Sequence, residues 1–441
     1  MAEISRSEAM LQRAGLLLPA DPLRVVSFDW PLSPWNGLSD YGYHGISALV
    51  DHDPSYPDHL RDYECGTRTY DQANGYNHRG TDFFTWPFSW YKMDHDQVAV
   101  VAAAPGQITL KSDGHYDRNC GTGADVWNAV YVRHADGSTA WYGHMKNGSL
   151  TSKPVGALVE AGEYLGIVGS SGNSTGPHLH LEVYDAGGHL IDPWAGPCNG
   201  TIEQSWWTDQ RPYYDSAVNA VLTHWMPPSF PPCPQTEDPR TSDVFSPGAV
   251  VYFAAYYRDQ LQGQLSEYTV RRPDGMPQYH WTHSSPAPYY AASYWYWNRV
   301  IPSGAPLGVW TFEVVFEGET YTHSFVVGTE ADVNAGELAG AGVPWIHLQA
   351  FPNPFEGETK VSWDRAAGDG ERAGARAGGR TVLAIHDASG RRVRVWALSP
   401  GAQSFFWNGE DESGRRLPPG IYVARLDAGG ATGTLKLIVS R

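Results

Sequence analysis

Short apolar runs, broken by glycine-rich and proline-rich turns, dominate the first 200 residues of the chain. These runs include VAVVAAAPGQITL, AVYVRHA, STAWYGHM, YLGIVGS and HLHLEVY, and turn signals such as ADG, SSGN and DAGG separate them. The pattern predicts an antiparallel all-β domain over residues 25–200. Before it, SEAMLQRAGLLL predicts a short helix within an N-terminal extension, residues 1–24.

Two further groups of predicted strands follow. Residues 201–330 contain AVVYFAAYYRDQ, SEYTVRRPDG, QYHWTHS and VWTFEVVFEG, whose spacing predicts a β-sandwich, and the proline-rich residues 227–240 predict a linker. Residues 331–343, rich in Ala and Gly, predict a second linker. Residues 344–441 then predict another β-sandwich, with a flexible loop at AAGDGERAGARAGG. The fold class is therefore all-β, an antiparallel domain followed by two β-sandwich domains.

Composition and charge exclude several classes of protein. The net charge of −17 argues against nucleic acid and against a polybasic membrane contact, because both need a basic face. No apolar run reaches the ~18 residues that span a bilayer, so no transmembrane segment is expected. No signal peptide is recognisable, since the apolar run in AGLLLPA is too short.

The four cysteines, Cys65, Cys120, Cys198 and Cys233, contain no C-x-x-C pair. A structural zinc knuckle is therefore not expected, and the even number favours disulfides over buried free thiols. Four cysteines allow three connectivities. Neighbourhood along the chain favours Cys65 with Cys120 and Cys198 with Cys233.

Three short stretches carry candidate chemistry: YNHRGTDFF, WYGHM and STGPHLHLEVY. In a strand, His178 and His180 point to the same face. One of the two can bind zinc while the other stays free beside it as an acid or base. With His78 and Asp82, this predicts a zinc site of two histidines and one carboxylate with an open fourth position, which is typical of catalytic zinc. Water in that position would become a nucleophile. His144 is then a candidate base or donor to the developing oxyanion.

Three blocks, YNHRGTDFF, GADVWNAVYVRHADGSTAWYGHM and VEAGEYLGIVGSSGNSTGPHLHLEVYDAGGHLIDPW, resemble the lysostaphin-type zinc endopeptidases in order and spacing. The resemblance implies one Zn²⁺ per chain, held by His78, Asp82 and His180, with His144 and His178 as the two catalytic histidines that do not bind the metal. It also implies a compact antiparallel β fold with a groove, and hydrolysis of peptide cross-links of bacterial peptidoglycan.

Other residues and segments near these blocks also have expected roles. A tyrosine upstream of the first ligand supports the transition state in some members of this family, and both Tyr70 and Tyr76 are candidates. Two segments are longer than minimal connections, TWPFSWYKMDHDQ and Leu110 to Val126, and both are expected to rim the groove. Four other histidines lack matching context and are expected to be structural or solvated: His95, His115, His134 and His189.

For each of the two accessory regions, the sequence allows two alternative roles. The aromatic run from Tyr289 to Val300 either packs in a core or between domains, or stacks on sugars; the family resemblance suggests that residues 201–327 are a fixed companion. FPNPF, IHDASGRRVR, WNGEDESGRRLPPGIYVARL and Lys436 resemble Por-type sorting domains and flagellar hook-capping immunoglobulin-like domains. That resemblance implies contact with secretion or surface-anchoring machinery, and the alternative is a passive spacer.

The functional hypothesis is an exported zinc metalloendopeptidase that acts on peptidoglycan stem peptides in an extracellular, periplasmic or cell-surface location. One alternative is an extracellular protease for Gly-rich proteins. The other is a non-catalytic cell-surface binding protein with a vestigial zinc site.

Overall fold

The computed structural model describes residues 2–21, 23–24, 26–121, 123, 126–230, 233, 236–328, 346–351, 355–365, 381–387, 392–398, 402, 404–428 and 431–440. They form two compact units, Met1–Gly328 and Thr329–Arg441. Almost every element is a strand in an antiparallel sheet, so the prediction of an all-β chain is confirmed. The first unit contains both the antiparallel domain and the first sandwich.

In the described part of the antiparallel domain there are two helices and eleven strands. They are α1 (Ala2–Arg13), β1 (Leu32–Pro34), β2 (His44–Ala48), β3 (Thr81–Thr85), α2 (Ser89–Asp94), β4 (Val98–Val101), β5 (Gly106–Ser112), β6 (Ala129–Arg133), β7 (Thr139–Gly143), β8 (Leu158–Val159), β9 (Tyr164–Ile167), β10 (His178–Tyr184) and β11 (Leu190–Ile191). An eight-stranded sheet runs in the order β2-β3-β10-β7-β6-β5-β8, with β11 paired to β10. A three-stranded sheet has the order β1-β4-β9.

Strand β10 lies between β3 and β7 and defines the two faces of the large sheet. Because side chains alternate along a strand, Leu179, Leu181 and Val183 point into the core that the large sheet shares with Val100 and Leu165 of the small sheet. The intervening residues of HLHLEVY face the opposite way. The strand therefore carries the candidate histidines on the face away from the core.

Helix α1 is the short helix predicted in the N-terminal extension, shifted toward the chain start. It packs on β5 through buried Ile4 and Leu11, and the Ser7 hydroxyl donates to the carbonyl of Thr109. Gly15 adopts a positive φ of 67° and Leu16 N–H donates to Leu11 O at 2.9 Å. This glycine turn ends the helix before the leucine run that the apolar pattern had included.

The companion sandwich, residues 217–327, has eight strands among the residues that the structure describes. They are β12 (Ala217–His224), β13 (Val244–Phe245), β14 (Val250–Leu261), β15 (Leu265–Arg271), β16 (Pro277–Ser284), β17 (Tyr289–Val300), β18 (Gly308–Phe316) and β19 (Glu319–Val327). Their sheets have the orders β12-β14-β17 and β13-β19-β18-β15-β16. Phe253, Tyr268 and Trp310 are fully buried between the sheets.

The proline-rich residues 227–240 lie inside the companion region, where the linker was predicted. They connect β12 to β13 inside the companion sandwich. Phe230 stacks on Phe88 with ring centroids 4.9 Å apart, and Glu237 Oε2 accepts the backbone N–H of Trp90 at 2.8 Å. Proline prevents strand pairing here, but packing against the antiparallel domain fixes the described part of the segment.

The disulfides also differ from the predicted pairing. Cys65 is bonded to Cys198 and Cys120 to Cys233, with Cα–Cα distances of 5.2 and 5.7 Å. All four cysteines are therefore in disulfides, but each bridge joins segments more than 110 residues apart along the chain. Neighbourhood in sequence failed because a disulfide requires close Cα atoms in the folded chain.

The described residues of the second unit form seven strands. They are β20 (Ile346–Phe351), β21 (Thr359–Arg365), β22 (Thr381–Asp387), β23 (Arg392–Leu398), β24 (Ser404–Trp407), β25 (Gly420–Ala428) and β26 (Ala431–Val439). Sheets β20-β21-β24 and β23-β22-β25-β26 enclose a core that includes Ile385, Trp407 and Leu426. The predicted linker 331–343, the glycine-rich loop 366–379 and the side chain of Lys436 lie outside the described residues. Among the described residues, no helix combines the length and the apolar character needed to cross a bilayer.

Candidate metal centre and groove

The three predicted zinc ligands meet on one face of the large sheet. His78 precedes β3, and Asp82 of β3 lies directly opposite His180 of β10 in the strand register. His78 Nε2 is 3.2 Å from both His180 Nδ1 and Asp82 Oδ2, and His180 Nδ1 is 2.6 Å from Asp82 Oδ1. All three side chains are buried. Two imidazole nitrogens and one carboxylate therefore converge on a single point.

Hydrogen bonds on the far side of each ring determine which nitrogen faces this point. His78 Nδ1 donates to Leu49 O at 2.7 Å, which leaves Nε2 as the nitrogen with the lone pair. His180 Nε2 lies 2.9 Å from Glu182 Oε1, which leaves Nδ1 facing Asp82. The hydroxyl of Tyr184 donates to the other carboxylate oxygen of Glu182. A carboxylate or carbonyl behind a histidine is the usual support of a metal ligand.

Sequence reasoning missed Glu182, although a signal for it was present. The alternation in HLHLEVY places Glu182 on the same strand face as His178 and His180. Only the strand twist and the ring orientation of His180 bring its carboxylate to Nε2.

The carboxylates and histidines of the cluster stabilise each other's charged forms. Burial by itself would raise the pKa of Asp82, but the three surrounding histidines hold it well below its usual range. Burial would lower the pKa of His180, and the carboxylates of Asp82 and Glu182 raise it to about 10. A buried carboxylate that stays ionised is suited to a cation.

His144 and His178 lie side by side next to the ligand cluster, with ring centroids 4.5 Å apart. His144 Nδ1 bonds to Ser171 O at 2.6 Å and His178 Nδ1 bonds to Gly176 O at 2.8 Å. Burial lowers the pKa of both imidazoles. Both are therefore neutral near pH 7, with Nδ1–H donated to a carbonyl and Nε2 available to accept a proton.

Two glycines allow the close packing of the site. A Cβ on Gly80 would lie 2.6 Å from Leu181 O and 2.8 Å from His180 Nε2, so the His78–Asp82 segment passes over His180 only because residue 80 lacks a side chain. A Cβ on Gly143 would lie 2.3 Å from the Trp127 ring. Trp127 in turn packs on His144 and His180, with ring centroids at 5.0 and 5.8 Å.

Tyr70 and Tyr76 both line the groove beside the cluster. The Tyr70 ring stacks on His78 with centroids 4.4 Å apart, and its carbonyl accepts the His78 N–H at 3.1 Å. Tyr76 lies one ring further away, 6.1 Å from Tyr70. Burial raises the pKa of both hydroxyls, so both remain neutral hydrogen-bond donors. Tyr70 is the one in contact with a ligand residue.

The groove has a volume of about 910 Å³. Its walls are mainly uncharged and polar, and they include Ser47, Gln72, Asn74, Asn173, Ser174 and Thr175. Gly123 lines it, as expected for the segment from Leu110 to Val126. The expectation for TWPFSWYKMDHDQ was wrong: among the described residues, none of positions 85–97 lines the groove. Trp86 and Phe88 instead pack against the companion sandwich, because their aromatic rings find an apolar surface there.

The remaining predicted residues lie elsewhere. Each of the four other histidines bonds locally, to a carbonyl or a side chain of its own neighbourhood: His95, His115, His134 and His189. In the aromatic run, Trp297 packs on Tyr268 in the sandwich core, and Tyr294 contacts Phe230 and Trp86 between the domains. The contacts of the run are therefore those of core and inter-domain packing.

Comparisons with known proteins give two family matches. Residues 77–193 match the model of peptidase family M23, and residues 359–431 match the model of the FlgD Ig-like domain. Over 84 residues the chain is 46% identical to DD-carboxypeptidase/endopeptidase Mpg of Neisseria meningitidis serogroup B and of Neisseria gonorrhoeae. The match covers 19% of this chain and 16% of those relatives.

Solved structures of several peptidases are also similar. The catalytic domain of lysostaphin from Staphylococcus simulans is 27% identical, with a TM-score of 0.21, and the match covers 28% of this chain and 83% of that one. A zinc-containing peptidase from Vibrio cholerae is 20% identical, with a TM-score of 0.25, and the match covers 38% of this chain and 39% of that one.

Proposed function

We propose, on the premise that residues 77–193 match the model of peptidase family M23, that the protein is a zinc-dependent endopeptidase that hydrolyses peptide cross-links of bacterial peptidoglycan. The observation that carries the proposal is the convergence of His78 Nε2, Asp82 and His180 Nδ1 beside two neutral histidines, His144 and His178. Three protein ligands of this chemistry leave a coordination position open, as catalytic zinc requires.

The donor set fits zinc. Both histidines have their second nitrogen bonded to an oxygen, so each offers its remaining nitrogen to the same point, and the carboxylate of Asp82 supplies the third ligand atom. A zinc ion held there would polarise the scissile carbonyl and lower the pKa of water to near neutrality.

His144 and His178 then handle protons at Nε2. A neutral imidazole accepts the proton of the attacking water and returns it to the leaving amine. Once protonated, the same group donates a hydrogen bond to the developing oxyanion. Tyr70, whose ring stacks on His78, offers its hydroxyl as a further neutral donor for that oxygen.

The composition of the groove walls favours a peptide as the substrate. Among the described lining residues, Asp82 and Glu182 are the acidic ones, both are hydrogen-bonded within the site, and neither Lys nor Arg contributes to the walls. Uncharged amides and hydroxyls along a groove are suited to the backbone of an extended peptide. Peptidoglycan stem peptides are our choice because the curated relatives are named as a DD-carboxypeptidase/endopeptidase.

We also propose an extracytoplasmic location. The chain has two disulfides, and disulfides persist in oxidising compartments. Peptidoglycan also lies outside the cytoplasm. A sorting or anchoring role for residues 344–441, and the machinery that would recognise them, stay predictions.

Purified sacculi test the proposal. The full chain, loaded with zinc, should release un-cross-linked stem peptides, and a chelator should abolish the release. A panel of Gly-rich peptides runs in parallel. If zinc is bound and only the Gly-rich peptides are cut, the substrate assignment is wrong. Tight binding to sacculi without zinc and without any hydrolysis would favour the non-catalytic alternative.

A further inference from the structure

An exposed tryptophan separates two depressions on the surface of the antiparallel domain. Trp35 is 46% exposed and follows β1 directly. On one side lies a pocket of about 300 Å³ that Tyr164, Asp96 and Lys146 help to line, and on the other a pocket of about 450 Å³ formed by residues 34–38. Both are separate from the walls of the peptide groove. An exposed large aromatic side chain with concave surfaces on both sides is a candidate binding feature.

The aromatic rings of this feature are held in place before any ligand arrives. The Trp35 ring lies 5.2 Å from the Tyr164 ring, at an interplanar angle of 32°. The Tyr164 hydroxyl donates to Ser149 O at 2.7 Å, and the backbone N–H of Trp35 donates to Gln97 O at 2.8 Å. Asn36 Nδ2 bonds to His95 O at 2.8 Å, which fixes the turn after Trp35. A preorganised site of this kind loses little entropy when it binds.

The rim of the first pocket is polar and has no net charge. Lys146 Nζ donates to Asp96 Oδ1 at 2.6 Å and to Met93 O at 2.9 Å, so the two opposite charges lie together. Asn147 is exposed, and its side-chain amide has no hydrogen-bond partner among the described residues. The pocket thus offers an aromatic face, one free donor and acceptor pair, and a neutral rim.

We propose that Trp35 and Tyr164 form a subsite for a neutral sugar, an N-acetylated hexosamine of the glycan strand. The apolar face of a sugar ring packs on an aromatic face, while Asn147 bonds its hydroxyl or acetamido groups. The paired charges of Lys146 and Asp96 give no preference for an anion, and the net charge of −17 opposes phosphate ligands.

The position of the pocket explains why the sugar would belong to peptidoglycan, a point that rests on the proposed function. Lys146, which helps to line the pocket, follows His144 by two residues, so the Cα atoms of these two residues lie at most ~7 Å apart. Peptidoglycan is a polymer in which each peptide is attached to a sugar. A chain that holds the sugar at Trp35 would therefore raise the local concentration of its peptide near the groove.

Chitotetraose, a soluble peptide-free oligomer of N-acetylglucosamine, tests the subsite on the full chain. Calorimetric titration should detect binding that is unchanged by a chelator, because the subsite contains none of the candidate zinc ligands. Trp35→Ala and Tyr164→Ala should each weaken binding at least about tenfold. Trp225→Ala, which removes another exposed tryptophan at 52% exposure on the companion sandwich, should leave it unchanged.

Asn147→Ala is a second variant for which folding is not at risk, because the side chain is exposed. It should weaken binding severalfold. Absence of binding by the wild type, or equal affinity in Trp35→Ala and wild type, would overturn the subsite. The two proposals fail separately: sugar binding through Trp35 in a protein that cuts no peptide would remove the proposed function alone. Cleavage of a soluble peptide should be the same in Trp35→Ala as in the wild type, with a higher KM on sacculi only.

Discussion

Arg68 of the antiparallel domain and Asp259 of the companion sandwich form a buried ion pair, with Arg68 Nη2 2.5 Å from Asp259 Oδ1 and both side chains about 5% exposed or less. Arg68 O accepts the Leu49 N–H at 2.8 Å, and Leu49 O accepts His78 Nδ1 at 2.7 Å. The residues after Arg68 are Thr69 and Tyr70, which line the groove. The companion is thus connected to the candidate metal ligand His78 through two intervening residues, Arg68 and Leu49.

Asp259→Ala should destabilise the first unit by about 3–5 kcal/mol, because it leaves the Arg68 guanidinium buried without its countercharge. Urea unfolding of the full chain, followed by tryptophan fluorescence, measures the change. The matched control is Glu313→Gln, which breaks the more exposed pair of Glu313 with Arg271 and should cost at most about 1 kcal/mol. Equal losses in the two variants would contradict a special role for the buried pair.

His144→Ala should retain zinc and lose activity, whereas His78→Ala and His180→Ala should lose both. The reason is that His144 Nδ1 is bonded to Ser171 O and the residue is not part of the ligand cluster. Loss of a general acid–base group costs about 10²–10⁴-fold in rate. Metal content by atomic absorption and hydrolysis of sacculi separate the two classes. His189→Ala, on the exposed surface, is the control, and zinc loss in His144→Ala would contradict its assignment.

Glu182→Gln should weaken zinc binding by about 10–100-fold, because it replaces the carboxylate that orients His180 through Nε2. Competition with a fluorescent chelator measures the dissociation constant. Tyr184→Phe removes only the hydroxyl that supports Glu182 and should have a smaller effect in the same direction. Unchanged affinity in Glu182→Gln would mean that the sheet alone orients His180.

Gly80→Ala should impair zinc binding and stability, since its Cβ would lie 2.6 Å from the Leu181 carbonyl and against the His180 ring. The added methyl must push β3 away from β10, which separates Asp82 from His180. Gly304→Ala is the matched control, because a Cβ there has no atom within 4 Å. Zinc titration and thermal unfolding of both variants measure the difference, and wild-type behaviour of Gly80→Ala would contradict the packing argument.

The sequence by itself determined the features that depend on local pattern. Alternation in HLHLEVY fixed which side chains of β10 share a face, and the spacing of His78 and Asp82 around β3 indicated the ligand segment. The same alternation contained Glu182. These features were predictable because strand geometry has a period of two residues, whatever the strand packs against.

The tertiary structure decided other features that join distant segments. Cys65 is bonded to Cys198 and not to Cys120. The proline-rich segment is a packed loop within the sandwich, and residues of TWPFSWYKMDHDQ pack against the companion instead of lining the groove. Arg68 and Asp259 are 191 residues apart along the chain. Such pairings follow from which surfaces bury each other on folding, and a local pattern of hydrophobic and polar residues does not specify that choice.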